Sequence, residues 1–237
     1  IYQMRYGAYS EEVIANIDDL KIFPKNFSFE EAAGFSVASQ TAYVALIERA
    51  NIIKGQTILV LGGTGGVGLA AVQLANAIGA IVIAVCSSKA KQKEAIKIGA
   101  RYAIGYEDMI NDVKEITNQN GVDIIYDPIG GEYFSKSLKV IKWGGKILVI
   151  GFASGTIPNL PINIALIKGI SVLGVRAGEY FRKNPKLKQP AMNKLLSIAN
   201  KGLITPVIHD TLKLKDASKA LKRIENREVI GRLILKP

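Results

Sequence analysis

The apolar residues of this chain fall into short runs that alternate with helical patterns from residue 58 onward. Runs such as 58–61 (ILVL) and 81–85 (IVIAV) are apolar at every position, which is typical of strands buried on both faces of a sheet. The predicted strands are 58–61, 81–85, 102–104, 123–126, 146–150 and 170–175, and the predicted helices between them are 65–78, 88–98, 109–117 and 131–141. Buried strands separated by helices predict an α/β domain with a doubly wound parallel sheet.

The two ends of the chain have a different pattern. Residues 1–27 scatter single apolar side chains among turn residues, which favours a β-rich segment. A capping box at Ser28-Phe29-Glu30-Glu31 opens a helical region that extends to about residue 50, with a break expected at Gly34. Near the other end we expect a helix over 191–200, a strand over 206–208, a helix over 216–226 and a strand over 231–235. The ends therefore resemble parts of a second domain into which the α/β domain is inserted.

The composition of the 237 residues is that of a globular protein, with 49% hydrophobic and 22% charged side chains. The longest apolar runs have about nine residues, half of what a membrane-spanning helix needs, so we expect a soluble, cytoplasmic protein. A single cysteine, Cys86, and a single histidine, His209, exclude a disulfide within the chain and a Cys/His metal cage. Hydrolytic or zinc-dependent chemistry is therefore not expected.

The net charge of +11 attracts phosphate-rich partners. Three interpretations stay open: lysines on solvated helix faces, attraction of a cofactor phosphate, and nucleic-acid binding. The lysines are spread over several predicted helices without the interleaved aromatic residues of a stacking surface, so nucleic-acid binding is the least favoured. They include Lys89, Lys91, Lys93, Lys97, Lys186, Lys188, Lys194, Lys215, Lys219 and Lys222.

A glycine-rich loop lies between the first predicted strand and the first helix of the sheet. Gly63, Gly65 and Gly68 fit the spacing G-x-G-x-x-G, which dinucleotide-binding domains use for a tight turn, close approach to a pyrophosphate and close helix packing. The following helix N-terminus offers N–H groups to an anion. A purely structural turn is the alternative. No Lys-Ser/Thr pair follows the glycines, which excludes a nucleoside-triphosphate loop.

The end of the second strand predicts which dinucleotide is bound. An NAD site needs a carboxylate about 20 residues past the loop, but the sequence V-C-S-S-K-A-K-Q-K at 85–93 has none before Glu94. Its hydroxyl and ammonium groups favour the 2′-phosphate of NADP(H). The alternative is that the lysines are only the solvated first turn of a helix. Cys86 is interpreted as a small residue at a strand end rather than as a redox thiol.

Several stretches together resemble one known family. They are 34–43 (GFSVASQTAY), 65–68 (GGVG), 104–106 (IGY), 127–131 (DPIGG), 144–146 (GGK), 149–155 (VIGFASG) and 230–235 (IGRLIL). In this order they are similar to the zinc-free quinone oxidoreductase (zeta-crystallin-like) branch of the medium-chain dehydrogenase/reductase superfamily. The resemblance implies a Rossmann domain over 40–179 inserted in a partial GroES-like β domain, with remnants of that domain at 1–39 and 180–237. It also implies that roughly the first quarter of the family's chain lies before Ile1.

The same resemblance implies a set of cofactor contacts. These are Thr41 beside the nicotinamide; Gly63, Thr64, Gly65, Gly66, Val67 and Gly68 at the pyrophosphate; Ser87, Ser88 and Lys91 at the 2′-phosphate; Tyr106 at the adenosine half; Gly151, Phe152, Ala153 and Ser154 along the nicotinamide ribose; and Arg176, Ala177 and Gly178 closing over the nicotinamide. For Tyr106 and Phe152, plain packing of an aromatic ring at a strand end is the alternative.

The resemblance implies hydride transfer from NADPH to a quinone or conjugated enone, without zinc. Zinc-dependent relatives carry a cysteine or acidic ligand where this sequence has Ala33, and His209 is expected to be a surface or core residue. No catalytic residue is identified. The alternatives are an enoyl-thioester reductase and a non-catalytic NADPH- or RNA-binding protein. Relatives imply a homodimer formed through the strand at 170–175, with no membrane partner.

Overall fold

The computed structural model describes residues 7–17, 20 and 22–237. Its strands are β1 (Thr57–Leu61), β2 (Ile81–Val85), β3 (Tyr102–Ile104), β4 (Val122–Asp127), β5 (Ile141–Val149), β6 (Ser171–Gly174), β7 (Ile208–Lys213) and β8 (Arg232–Lys236). Its α-helices are α1 (Phe29–Tyr43), α2 (Gly66–Ile78), α3 (Lys89–Lys97), α4 (Met109–Ile116), α5 (Gly131–Ser137), α6 (Ile162–Lys168), α7 (Ala177–Lys183), α8 (Pro185–Asn200) and α9 (Ala217–Glu225).

The first six of these strands form one parallel sheet in the order β3-β2-β1-β4-β5-β6. This confirms the predicted doubly wound α/β architecture. The first four predicted strands match β1 to β4 within one residue, whereas β5 begins at Ile141, earlier than expected. A register shift between Val122 and Ile124 lets β5 pair with β4 on both sides of the irregularity. Helices α6 and α7 were not predicted.

The core lies on both faces of the sheet because the strands are apolar on both faces. On β1, Ile58 and Val60 belong to a hydrophobic layer that contains residues of α1, α2 and α8, whereas Leu59 and Leu61 belong to one that contains residues of α4 and α5. All four side chains are fully buried. The uninterrupted apolar runs in the sequence therefore reflect two hydrophobic layers, one on each side of a shared sheet.

Helix α1 begins with the predicted capping box. The hydroxyl of Ser28 accepts a hydrogen bond from the Glu31 amide, and the Glu31 carboxylate accepts one from the Ser28 amide. The break expected at Gly34 is wrong: the helix runs through Gly34, where a Cβ would lie 3.2 Å from Cδ1 of Ile208 on β7. This glycine permits close packing. The irregularity comes later, as a π-helical turn over Val44–Arg49.

Strands β7 and β8 pair in parallel in a separate small sheet. The predicted strand at 206–208 begins at Ile208 instead, and helix α8 begins at Pro185 rather than at 191. The β-rich interpretation of 1–27 is wrong for the described residues 7–17, 20 and 22–27, which contain no strand. A strand needs a neighbour for its backbone groups, and exposed side chains such as Ile14 and Ile22 show that no described element covers them. Residues 1–6, 18, 19 and 21 lie outside the described part.

The expected domain limit between residues 39 and 40 falls inside α1, and the three-part division of the chain stays a prediction. Among the described residues, no helix has the length and apolar character needed to cross a bilayer.

Candidate functional site

Five of the segments predicted to contact a cofactor lie at one edge of the sheet. The glycine loop follows β1, the Ser/Lys segment follows β2, Tyr106 follows β3, 151–154 follows β5 and 176–178 follows β6. Parallel strands end at a common edge, so the fold brings these segments together. The chain leaves β1 toward α2 on one face of the sheet and leaves β4 toward α5 on the other. This divergence opens the crevice in which doubly wound sheets bind ligands.

Two glycines of the loop are required by packing. A Cβ on Gly68 would lie 2.2 Å from the carbonyl oxygen of Gly62, and a Cβ on Gly63 would lie 2.7 Å from the Cβ of Ala84 on β2. The backbone of α2 therefore sits directly on the turn that leaves β1. The first and third glycines of the predicted fingerprint thus have a measurable steric reason in the packing of α2 on the loop and on β2, whereas the approach of a pyrophosphate to Gly65 stays a prediction.

Among the residues that the structure describes, no side chain caps the N-terminus of α2. Gly65 is the N-cap residue, in an extended conformation with φ of −72°, and it has no side chain to accept from the first amides of the helix. Gly65 also forms a parallel bridge with Gly231, and the Gly231 amide donates to the carbonyl oxygen of Thr64 at 2.8 Å. The loop is thereby held by the residue that precedes the last strand of the chain.

Arg232 places a buried cation beside this helix N-terminus. Its Nε and Nη2 atoms are buried without a hydrogen-bond partner among the described residues, and a Cβ on Gly66 would lie 2.6 Å from its Cζ. Burial lowers the pKa of the Arg232 guanidinium, with the nearby Tyr126 opposing that shift. Buried guanidinium nitrogens without partners are costly, so this arrangement fits an anionic ligand. The sequence analysis missed Arg232, which it treated only as part of the 230–235 motif.

In the Ser/Lys segment after β2, Ser88 caps a helix and Lys91 carries a positive charge. Ser88 is the N-cap of α3, with its hydroxyl accepting from the Lys91 amide at 3.3 Å. The Nζ of Lys91 donates to the carbonyl oxygen of Arg227 at 2.5 Å. Partial burial lowers the pKa of Lys91, and the nearby charge of Arg227 acts in the same direction. Arg227, in the turn before β8, is a second cationic residue at this place that the sequence analysis missed.

Cys86 is buried at the end of β2. Desolvation raises the pKa of its thiol to about 11, although Thr64 and Lys91 act in the opposite direction. A thiol that stays protonated near neutral pH is a poor nucleophile. This supports the interpretation of Cys86 as a small residue at a strand end.

Tyr106 supports the glycine loop through a hydrogen bond to its first residue. The hydroxyl oxygen of Tyr106 accepts from the Gly62 amide at 2.9 Å, and its ring packs on Tyr133 with centroids 4.3 Å apart. Burial raises the pKa of the Tyr106 hydroxyl. Tyr106 therefore packs as a structural aromatic ring that also holds the glycine loop, and its predicted contact with the adenosine half of the cofactor stays a prediction.

Asp127 shapes the loop on the other side of the crevice. Its buried carboxylate accepts hydrogen bonds from the amides of Ile129 and Gly130, both at 2.8 Å. Burial raises its pKa, and these two amides oppose that shift. The sequence analysis used Asp127 only as part of a motif, although an aspartate followed by Pro-x-Gly-Gly is a turn signal.

The residues predicted to contact the nicotinamide are mostly exposed or half-buried. The hydroxyl of Thr41 donates to the Val37 carbonyl of its own helix at 2.8 Å. The ring of Phe152 is 41% exposed and lies against Gly130, so it is partly packed. The remaining predicted contacts at this side are exposed or half-buried: Gly151, Ala153, Ser154, Arg176, Ala177 and Gly178.

The Nδ1 atom of His209 accepts a hydrogen bond from the Ile230 amide at 3.4 Å. Within the described residues, no group of three His, Cys, Asp or Glu side chains is arranged to hold a metal ion. The expected absence of zinc stays a prediction.

Comparison with known proteins bears on this geometry. A family model described as zinc-binding dehydrogenase matches residues 66–197, more than half of the chain. Quinone oxidoreductase-like protein 2 of Mus musculus is 33% identical over 233 residues. The chain is a quinone oxidoreductase-like member of the medium-chain dehydrogenase/reductase superfamily. The resemblance inferred from the sequence motifs is confirmed.

Other members agree with this placement. The quinone oxidoreductase-like protein 2 homolog of Nematostella vectensis is 36% identical over 233 residues, which is 97% of this chain and 64% of the relative. The chain covers 67% of the mouse relative. It therefore spans about two thirds of the length of these two relatives. The quinone oxidoreductase of Thermus thermophilus, solved also with NADPH, superposes with a TM-score of 0.88 at 28% identity, covering 100% of this chain and 76% of that one.

Proposed function

We propose that this chain is the cofactor-binding part of a zinc-independent oxidoreductase that transfers hydride from NADPH to a quinone or conjugated enone. The observation that carries the proposal is the guanidinium of Arg232, which lies beside the uncapped N-terminus of α2 with two nitrogens unpaired within the described part of the chain. A buried cation and free helix amides at the same place suit a pyrophosphate. The names of the relatives and the NADPH complex of a structural neighbour support the cofactor and the reaction class.

Each part of the crevice has a role in this proposal. Arg232 and the loop 63–68 hold the pyrophosphate, and Ser87, Ser88 and Lys91 hold the 2′-phosphate. When bound, the nicotinamide supplies a hydride. Thr41, the segment 151–154 and the segment 176–178 orient the nicotinamide and exclude water from it, which is most of what hydride transfer requires. No residue of the chain is assigned as a proton donor.

Zinc independence belongs to the proposal. Ala33 offers no ligand, and the ring nitrogen Nδ1 of His209 already accepts a backbone hydrogen bond. Hydride arrival makes a quinone or enone anionic, and hydroxyl groups, main-chain amides or solvent can stabilise that charge without a metal.

The decisive experiment is a fluorescence titration with NADPH and NADH side by side. We expect NADPH to bind more tightly, and Lys91→Ala combined with Ser88→Ala to weaken NADPH about tenfold while leaving NADH unchanged, because a charge-assisted contact to the phosphate is lost. Lys93→Ala is the matched control, since Lys93 lies exposed on the same helix. Reduction of 1,4-benzoquinone by NADPH tests the reaction itself. Equal affinity of the wild-type chain for the two cofactors would contradict the 2′-phosphate assignment.

We also propose that two copies pair through the edge of the sheet at β6. Beside this edge, Ile162, Leu166 and Ile167 of α6 are 77%, 84% and 69% exposed, and Val172 of β6 is 40% exposed. Such an apolar patch beside an open strand edge favours association. Leu166→Glu is expected to shift the mass measured by light scattering from dimer to monomer, whereas Ile96→Glu, on α3, leaves it unchanged. A wild-type monomer at all concentrations would refute the pairing. The cytoplasmic location stays a prediction.

A further inference from the structure

A π-helical turn continues α1 past the position of Thr41. Residues Val44–Arg49 follow the α-helix without a break at the junction, since Tyr43 and Val44 both have right-handed helical backbone angles. Such turns often occur at functional sites. Here the turn carries Glu48 on the same continuous helix as Thr41, roughly 10 Å further along its axis.

Glu48 makes a contact that joins this helix to α7. The hydroxyl of Tyr180 donates to Oε2 of Glu48 at 2.8 Å, and the ring of Tyr180 packs against the core layer that contains Tyr43. Both residues are half-buried. A hydrogen bond to a carboxylate that is partly shielded from water is stronger than one between neutral groups on the surface.

Tyr180 is coupled in turn to the segment 176–178. Its amide donates to the carbonyl oxygen of Arg176 at 2.8 Å, and its own carbonyl accepts from Nδ2 of Asn184 at 2.9 Å. Arg176 and Gly178 are exposed, whereas Ala177 between them packs against the same core layer as Tyr180. Hydrogen bonds therefore run from the helix of Thr41 through Glu48 and Tyr180 to Arg176.

We propose that Tyr180 and Glu48 are positioning residues that fix the segment 176–178 relative to Thr41, and so define the space for the nicotinamide. This inference rests on the proposed function, because it concerns the nicotinamide half of the same crevice. Neither residue touches the cofactor in this assignment. They act by setting the distance between the two elements that do.

The test compares two ligands, of which only one has a nicotinamide. We expect Tyr180→Phe and Glu48→Ala each to weaken NADPH about fivefold, as the loss of one hydrogen bond implies, while adenosine 2′,5′-bisphosphate binds as to the wild type. Glu48→Gln keeps an oxygen that accepts the same hydrogen bond and is expected to restore NADPH binding. The double variant Tyr180→Phe/Glu48→Ala is expected to be no weaker than either single variant. Tyr102→Phe, at the opposite edge of the sheet, is the control.

The outcomes separate this inference from the proposed function. If Tyr180→Phe bound NADPH like the wild type, or lost affinity for both ligands equally, the positioning role would be refuted while cofactor binding stood. A wild-type chain that bound neither ligand would overturn the proposed function and this inference with it. A thermal unfolding curve for each variant distinguishes a loss of folding from a loss of nicotinamide contact.

Discussion

Gly68→Ala is expected to lower the free energy of unfolding by about 3 kcal/mol and to abolish detectable NADPH binding. The added Cβ would lie 2.2 Å from the carbonyl oxygen of Gly62 and 3.2 Å from the Cα of Gly63. Both neighbours are backbone atoms, so no side-chain rotation relieves the contact and α2 must move away from β1. Urea unfolding and a fluorescence titration measure the two effects.

Gly65→Ala is the matched control within the same loop. Within 4 Å, the one described atom that its Cβ would meet is the Gly62 carbonyl oxygen at 3.5 Å, an ordinary contact, and its φ of −72° suits any residue. We therefore expect unchanged stability with weaker NADPH binding, because the methyl group occupies space that a pyrophosphate would approach. A Gly68→Ala protein as stable as the wild type would show that the loop does not have this packing.

Arg232→Met is expected to change stability and affinity in opposite directions. In the ligand-free protein it replaces a buried cation, two of whose nitrogens lack a partner among the described residues, with an apolar side chain of similar length. The free energy of unfolding is therefore expected to rise by about 1 to 2 kcal/mol. NADPH affinity falls about fifty-fold, because charge-assisted hydrogen bonds to phosphate are lost. Calorimetric melting without NADPH measures the gain in stability, and melting with NADPH measures the loss of affinity.

Arg223→Met is the control for charge. Arg223 forms an ion pair with Asp210 on the surface of the same part of the chain. Exposed ion pairs contribute little to the free energy of unfolding. We expect small effects on stability and none on NADPH affinity. An Arg232→Met protein that bound NADPH normally would remove the observation on which the proposed function depends.

The sheet could be predicted from the sequence because its signal is local. Strand β1 contains four consecutive apolar residues, since each of its faces meets its own hydrophobic layer. The glycine spacing of the loop and the capping box at Ser28 are equally local: the capping box has both expected hydrogen bonds, and Gly63 and Gly68 pack as closely as the spacing predicts. The order of elements along the chain was then enough to bring five of the six predicted cofactor segments to one edge of the sheet, while Thr41 lies on α1.

What the sequence could not predict depends on distant partners. The role of Arg232 depends on Gly66, which the fold brings against it. The contact of Glu48 with Tyr180 joins two helices far apart in the chain, one of them not predicted at all. Gly34 was predicted to break the helix because the sequence does not show its packing partner, Ile208, which lies far along the chain on β7. The segment 1–27 was predicted to be β-rich, but its described residues form no strand, because strand formation requires a neighbour.

The β-bridge between Gly65 and Gly231 affects the order in which the protein folds. The loop that follows the first strand of the sheet is held by an amide near the last residues of the chain. Contacts between such distant segments form late in folding, because a long loop must close before they can contribute. During synthesis on the ribosome, we therefore expect the sheet to begin to assemble early and the glycine loop to reach its final geometry only after β8 has emerged and docked.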